Sequence, residues 1–237
     1  MAKTVLITGG AVRIGREIAL HLAGRGWNVA IHYNHSKKPA DELAAMIKKK
    51  KRKAYLVQGD LSYVADVADI IPGLTKKGVQ IDCLINNASI FEKDSIRDLD
   101  AESWRRHIEV NLFAPLRLMR DFAAQYKGRE GNIINITDGL TGWSISGAFL
   151  SYSVSKAGLE NATTLLAKEL APGIRINAIA PGPTIEGKQD KKDTFDKLSK
   201  IIPLRRTSSP KEICDTIDYI LSAPSVTGQI ISLSGGM

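Results

Sequence analysis

The sequence predicts a doubly wound α/β fold built on a parallel sheet. Two observations carry this. Short apolar runs alternate with helical segments along all 237 residues. The runs are rich in Val and Ile and mostly lack in–out alternation, as strands covered on both faces require. A chain of this length reads as one domain, 1–237, with 43% hydrophobic residues to fill a core.

The elements follow in order. TVLIT (4–8) is the first strand, with a helix near 14–26. NVAIHY (28–33) precedes a helix near 39–52, and AYLVQG (54–59) one near 63–76. DCLINN (82–87) leads to a long helical pattern over 101–127. NIINIT (132–137) is followed by a helix over 151–172. IRINAIA (174–180) is followed by a helix over 210–222 and a last strand, QIISLS (229–234). Neither a repeat nor a linker interrupts the pattern. The odd stretch is 184–204, TIEGKQDKKDTFDKLSKIIPL, which is polar and charged and follows Pro181-Gly182-Pro183. A long insertion after a strand's C-terminal end is a lid candidate.

Composition excludes several classes. Nothing approaches the roughly 18 consecutive apolar residues of a membrane span. The start, MAKTVLITGG, runs straight into a strand and lacks the regions of a leader peptide, so a cytoplasmic protein is expected. Cys83 and Cys214 read as small buried hydrophobes, and no metal spacing is present. The net charge is +8, densest in KKKKRK (48–53). That run lacks interleaved aromatics, so it reads as a solvated helix end and not as a nucleic-acid site. A basic surface also draws in anionic cofactors and substrates.

Thr8-Gly9-Gly10-Ala11-Val12-Arg13-Ile14-Gly15 follows a strand and opens a helix. Glycines there let the backbone approach a pyrophosphate at the helix N-terminus. At the end of the second strand an NAD enzyme usually carries Asp or Glu for the ribose hydroxyls. Here stand His32, Tyr33, Asn34, His35 and Ser36, with Arg13 in the first turn. A cationic pocket free of carboxylates suits a 2′-phosphate and therefore NADP; ordinary loop residues are the alternative. In GDLS (59–62), Asp60 is placed to bind an adenine amino group, with Leu61 beside it, or else to cap the next helix. Asn86, Asn87, Ala88 and Ser89 in NNASIF (86–91) either line a cofactor crevice or form a turn.

Tyr152 and Lys156 lie four apart and share one helix face. A tyrosine titrates near 10, too high for easy proton transfer at neutrality, and an adjacent ammonium lowers that value.

Together these motifs, with Asn111 in IEVNLFAP, YSVSK and IAPGP, resemble the short-chain dehydrogenase/reductase family over the whole chain. The resemblance implies a single-domain Rossmann fold with seven parallel strands and helices on both faces. It also implies hydride transfer with NADP(H), a Tyr152–Lys156–Asn111 proton system, and cofactor contacts that include Pro181 and Gly182. Assembly as a homodimer or homotetramer follows from the same likeness, through the helices at 101–127 and 151–172, with a second contact at the last strand and the helix at 210–222. Arg13 in the first turn, HYNHS, NNASIF in place of NNAG, and Asp138 at the usual serine position look like the pteridine reductase branch. That branch implies that Arg13, Ser89 and Phe91 meet a pterin, with Asp138, Tyr152 and Lys156 as the catalytic set.

The aspartate has a chemical reason. A carbonyl reductase protonates an alkoxide oxygen, for which tyrosine and serine suffice. Reducing a dihydropterin adds hydride to carbon and a proton to a ring nitrogen. A partly buried carboxyl group is placed to stay protonated and donate directly, or to refill the tyrosine. An aspartate in a surface turn is the alternative. The chain also departs from the pattern. Asp138 and Tyr152 lie one residue further apart than usual, around a loop with Trp143, and the tail SGGM is short. Lys188, Lys191, Lys192, Lys197 and Lys200 either meet an anionic substrate tail or form a solvated face. Two rival functions stay open: an NADPH carbonyl reductase, such as a 3-oxoacyl thioester reductase or sugar-alcohol dehydrogenase, and a non-catalytic nicotinamide-binding sensor.

Overall fold

Seven parallel strands form one sheet in the order β3-β2-β1-β4-β5-β6-β7. The computed structural model describes residues 2–126, 130–139, 148–186 and 193–237. The strands are β1 (Thr4–Ile7), β2 (Asn28–Tyr33), β3 (Ala54–Gln58), β4 (Cys83–Asn86), β5 (Gly131–Ile136), β6 (Ile174–Pro181) and β7 (Ile230–Leu233). β1, β2, β4 and β5 are buried along their whole length, which explains their unalternating sequences. The edge strands β3 and β7 are partly exposed.

The helices are α1 (Arg13–Gly24), α2 (Lys37–Lys49), α3 (Val64–Lys76), α4 (Ala101–Ile108), α5 (Ala114–Gln125), α6 (Leu150–Glu169), α7 (Thr194–Ile201) and α8 (Pro210–Ser222). On one face Ile18, Leu22, Leu43, Ile47 and Ile217 of α1, α2 and α8 pack on Val5, Ile7 and Ile31. On the other, Ile70, Leu118, Phe122 and Leu159 of α3, α5 and α6 pack on Leu6, Leu84 and Ile176. Successive β1 residues thus feed opposite cores, as a pleated strand requires. Each large aliphatic side chain so buried contributes about 1.5–3 kcal/mol.

The helix expected over 101–127 is three pieces. A π-helical turn, Glu109–Phe113, separates α4 from α5. Pro115 has no N–H, so the Asn111 carbonyl has no partner four residues on. The ladder slips, and the Ala114 N–H bonds the Glu109 carbonyl five residues back. The stretch expected to be a polar lid also contains a helix, α7. Phe195, Leu198 and Ile202 recur at helical spacing, and Ile202 is buried. α8 begins with a capping box between Ser209 and Glu212 and with Pro210 in its first turn.

No described helix is long and apolar enough to cross a membrane. Connections from β1 and β4 leave in opposite directions along the sheet, which opens a crevice at the carboxyl ends of those two strands.

Candidate active site

The crevice is stitched by side chains from both of its strands. Thr8 Oγ1 accepts the N–H groups of Asn87 and Ala88 at 2.9 and 3.0 Å, and Asn87 Nδ2 donates to the Thr8 carbonyl at 2.9 Å. Gly9 takes φ +60°, a conformation glycine adopts without penalty. A Cβ on Gly15 would stand 2.3 Å from the Gly9 carbonyl oxygen and 2.7 Å from Asn87 Nδ2. This cradle has no room for side chains and leaves main chain facing the N-terminus of α1, which fits a dinucleotide pyrophosphate. Ile14 packs on the core beneath it.

The end of β2 departs from the cationic pocket expected. His32 is buried, and burial pulls its pKa down to about 4, so the ring is neutral. Its Nδ1 accepts the Gly9 N–H at 3.2 Å, and Nε2 meets the Gly59 carbonyl at 3.1 Å. His32 is therefore a tether between the glycine turn and the end of β3, with no charge to offer a phosphate. Tyr33 and Leu61 also turn their side chains into the core and leave only main chain for a ligand. Asn34, His35 and Ser36 remain at the surface of this corner. Burial acts to raise the Asp60 pKa, but hydrogen bonds from Ser62 and Asn34 outweigh it and hold the carboxyl below its usual value. No carboxylate stands at residues 32–36, so the corner fits a phosphorylated ribose better than a bare one. Arg13 sits at φ 51° and reaches the other way. Its guanidinium donates to the carbonyls of Ile185 and Glu186 at 2.9 and 3.0 Å.

At the far end of the crevice the proton-transfer candidates meet. Tyr152, on the first turn of α6, donates its phenolic O–H to Asp138 Oδ2 over 2.6 Å. Such short contacts between hydroxyl and carboxylate are charge-assisted. Lys156, one turn on, is buried and donates to the Ile136 carbonyl at 2.9 Å, with Nζ 5.7 Å from the Tyr152 ring centroid. The tyrosine was expected to titrate below its ordinary value. Instead its pKa is raised well above 10, first by burial and then by Asp138. Burial in turn brings Lys156 down to about 8. Burial first, and the carboxyl group at the serine position second, thus outweigh the lowering that a lysine alone would give.

Asn111, fully buried in the π-helical turn, anchors the segment after β4. Its Oδ1 accepts from Ser89 Oγ (3.1 Å) and the Ile90 N–H (2.9 Å), and its Nδ2 donates to the Ile90 carbonyl and Ser155 Oγ. Phe91 then projects over the site, 60% exposed. It stacks on Phe149 with centroids 4.2 Å apart and meets the Tyr152 ring edge-on at 4.7 Å. The floor is closed by Gly139, whose N–H bonds the Pro181 carbonyl, and by Gly182, where a Cβ would press on Ser234.

The structure therefore brings Asp138, Tyr152, Lys156, Asn111, Ser89 and Phe91 to one place and the glycine turn, Asn87 and Ala88 to the adjoining one. Sequence reasoning missed Phe149, Ser155 and His32's tether. Only Ser155, on the YSVSK helix, carries a local signal. Trp143 and Lys188, Lys191 and Lys192 lie outside the described residues; Lys197 and Lys200 are solvent-exposed on α7.

A family described as enoyl-(acyl carrier protein) reductase matches residues 10–237. A 3-oxoacyl-[acyl-carrier-protein] reductase, FabG, of Staphylococcus epidermidis is 33% identical, covering 100% of this chain and 99% of its own. A structure of FolM alternative dihydrofolate reductase 1 from Brucella canis, complexed with NADP, is 38% identical with a TM-score of 0.93, covering 99% of this chain and 93% of its own. A blue fluorescent protein from a metagenomic library, in complex with NADPH, has a TM-score of 0.91 at 26% identity, covering 99% of this chain and 97% of its own. The chain belongs to the short-chain dehydrogenase/reductase family of oxidoreductases.

Proposed function

We propose that this protein is an NADPH-dependent reductase of dihydropterins, with Asp138 and Tyr152 delivering the proton to a ring nitrogen. The observation that carries this reading is the 2.6 Å hydrogen bond from Tyr152 to Asp138 beneath the exposed ring of Phe91. Bound NADPH supplies the hydride. The cradle of Gly9 and Gly15, with Asn87 and Ala88, holds its pyrophosphate end; Asn34, His35, Ser36 and Asp60 hold the adenosine end; Pro181 and Gly182 border the nicotinamide end.

The chain's own residues do the rest. Phe91 offers a ring face to a planar heterocycle. Ser89, fixed by Asn111, presents a hydroxyl at its edge. Protonated Asp138 gives its proton to the ring nitrogen. The carboxylate left behind then accepts the Tyr152 hydroxyl, a step that the 2.6 Å contact between the two groups supports. Lys156, charged below about pH 8, offsets the negative charge left on the pair. Arg13, bonded to the carbonyls of Ile185 and Glu186, borders one side of the pocket. Exposed Phe113, Val154 and Leu165 around α5 and α6 support assembly of two or four copies through those helices.

A second reading is favoured by the FabG relative: reduction of a 3-oxoacyl thioester at the same Tyr152 and Lys156. The test is NADPH oxidation by the purified protein with dihydropterins, dihydrofolate and a short 3-oxoacyl thioester side by side. Turnover confined to pterins upholds the first reading. Turnover confined to the thioester overturns it in favour of the second.

A further inference from the structure

Asp94 is a buried carboxylate outside the set described so far, 5% exposed. It lies in the segment after β4, three residues beyond Phe91. Both of its side-chain oxygens accept the Ser151 N–H, at 3.1 and 3.2 Å, and Oδ2 also accepts the Ser151 hydroxyl. The main chain repeats the link: the Asp94 N–H donates to the Ala148 carbonyl at 3.1 Å, and the Leu150 N–H donates to the Asp94 carbonyl at 3.3 Å.

These contacts meet a need of α6. Its own N-cap residue, Phe149, makes no side-chain cap, and its first turn holds no acidic residue. The first N–H groups of a helix need acceptors and favour negative charge. Asp94 fills that place from 57 residues away. The next residue along the helix is Tyr152. The segment bearing Asp94 is itself pinned to the π-helical turn through Ile90 and Asn111, and to α4 where the Glu92 N–H donates to His107 Nε2 at 3.3 Å. One carboxylate therefore joins the two walls of the pocket, Ser89–Phe91 on one side and Phe149–Tyr152 on the other.

We infer that Asp94 is a positioning residue, which sets the first turn of α6 and so the register of Tyr152 against Asp138 and Phe91. This rests on Tyr152 taking part in proton transfer, which the pterin and thioester readings share. The removal of Asp94 acts on kcat and not on cofactor affinity, because the dinucleotide cradle lies at the other end of the crevice.

The test compares Asp94→Ala and Asp94→Asn with the unmodified protein, using whichever substrate it turns over. Asp94→Ala lowers kcat by about tenfold or more, a displacement effect, with NADPH affinity by fluorescence titration unchanged within about twofold. Asp94→Asn, which keeps an acceptor for the Ser151 N–H, recovers most of the loss. The basic limb of the pH–rate profile moves in Asp94→Ala, because the Tyr152–Asp138 pair is displaced. Hydrogen exchange gives a readout free of any substrate: amides of 148–155 and 90–94 exchange about tenfold faster in Asp94→Ala, while those of β1 and α1 do not. Unchanged local exchange overturns the inference, as does a kcat within twofold of the original. A loss of kcat that tracks NADPH affinity and melting temperature, without recovery in Asp94→Asn, overturns it too. If no substrate is reduced, the functional reading falls, and exchange alone decides whether Asp94 holds α6.

Discussion

Tyr152 donates its hydroxyl to Asp138 across 2.6 Å, and both burial and that carboxylate hold the phenol well above its ordinary pKa. A tyrosine so placed is a poor acid by itself. The pair is a good one if the carboxyl carries the proton first, and this is the chemistry a ring nitrogen asks for.

Asp138→Asn keeps the size of the side chain and removes its acid. Dihydropterin kcat falls by about 10²-fold or more, the usual worth of a positioned general acid, while NADPH affinity holds. Steady-state kinetics with a separate cofactor titration decides it; an Asn variant at full kcat sinks the carboxyl-acid reading. In Asp138→Ser the balance shifts toward ketone substrates.

Phe91 has one face on Phe149 and an edge contact with Tyr152. Phe91→Ala removes the platform and raises the pterin KM by about tenfold, in line with about 0.5–1.5 kcal/mol of ring pairing beyond area burial. A thioester KM changes less. Equal effects on both substrates would show that the ring only packs.

Arg13 combines backbone strain with a reach to the 184–204 segment. Its φ of 51° costs a non-glycine residue about 1–2 kcal/mol. Arg13→Gly therefore raises the melting midpoint or leaves it unchanged, even though it removes two hydrogen bonds. It also raises the substrate KM by several-fold, roughly the worth of lost hydrogen bonds from a charged group, because the pocket wall loses its tie at Ile185 and Glu186. A variant that melts earlier but turns over normally would make Arg13 a structural strut.

Lys156 titrates at about 8 in the fold against 10.5 in an open chain. Between those values the unfolded chain binds more protons, so this lysine makes stability rise with pH across the window. Below pH 8 both states hold the proton, and the full cost of the buried charge is felt. Relative to Lys156→Met, the original protein gains about 1–2 kcal/mol between pH 7 and 9.5 in denaturant titrations. The comparison cancels Cys83 and Cys214, whose raised values slope the other way. A difference that stays flat with pH refutes the assignment.

Local spacing made much of this molecule legible. The strand-then-glycine run Thr8–Gly15 and the pair Tyr152–Lys156 are short-range patterns whose geometry follows from one turn or one helix face. Asp138 stood out because it occupies a position next to that pair in the motif. His32 was misread for the opposite reason: a histidine at a strand end looks like a cation until its neighbours are known. Here Gly9 and Gly59, from two other strands' ends, bury and neutralise it. The break at Asn111 was readable in principle from Pro115, since proline removes the N–H that would continue the ladder.

The sequence by itself determined the α/β alternation, the parallel sheet, the glycine turn and the helical spacing of Tyr152 and Lys156. Periodicity and chain-local sterics dictate those. The tertiary structure decided the charge states of Tyr152, Lys156 and His32, because desolvation and hydrogen-bond partners come from packing. It also decided that Phe149 backs Phe91 and that Asp94 caps α6. Those contacts join segments more than fifty residues apart, where no local rule of the chain relates one side chain to the other.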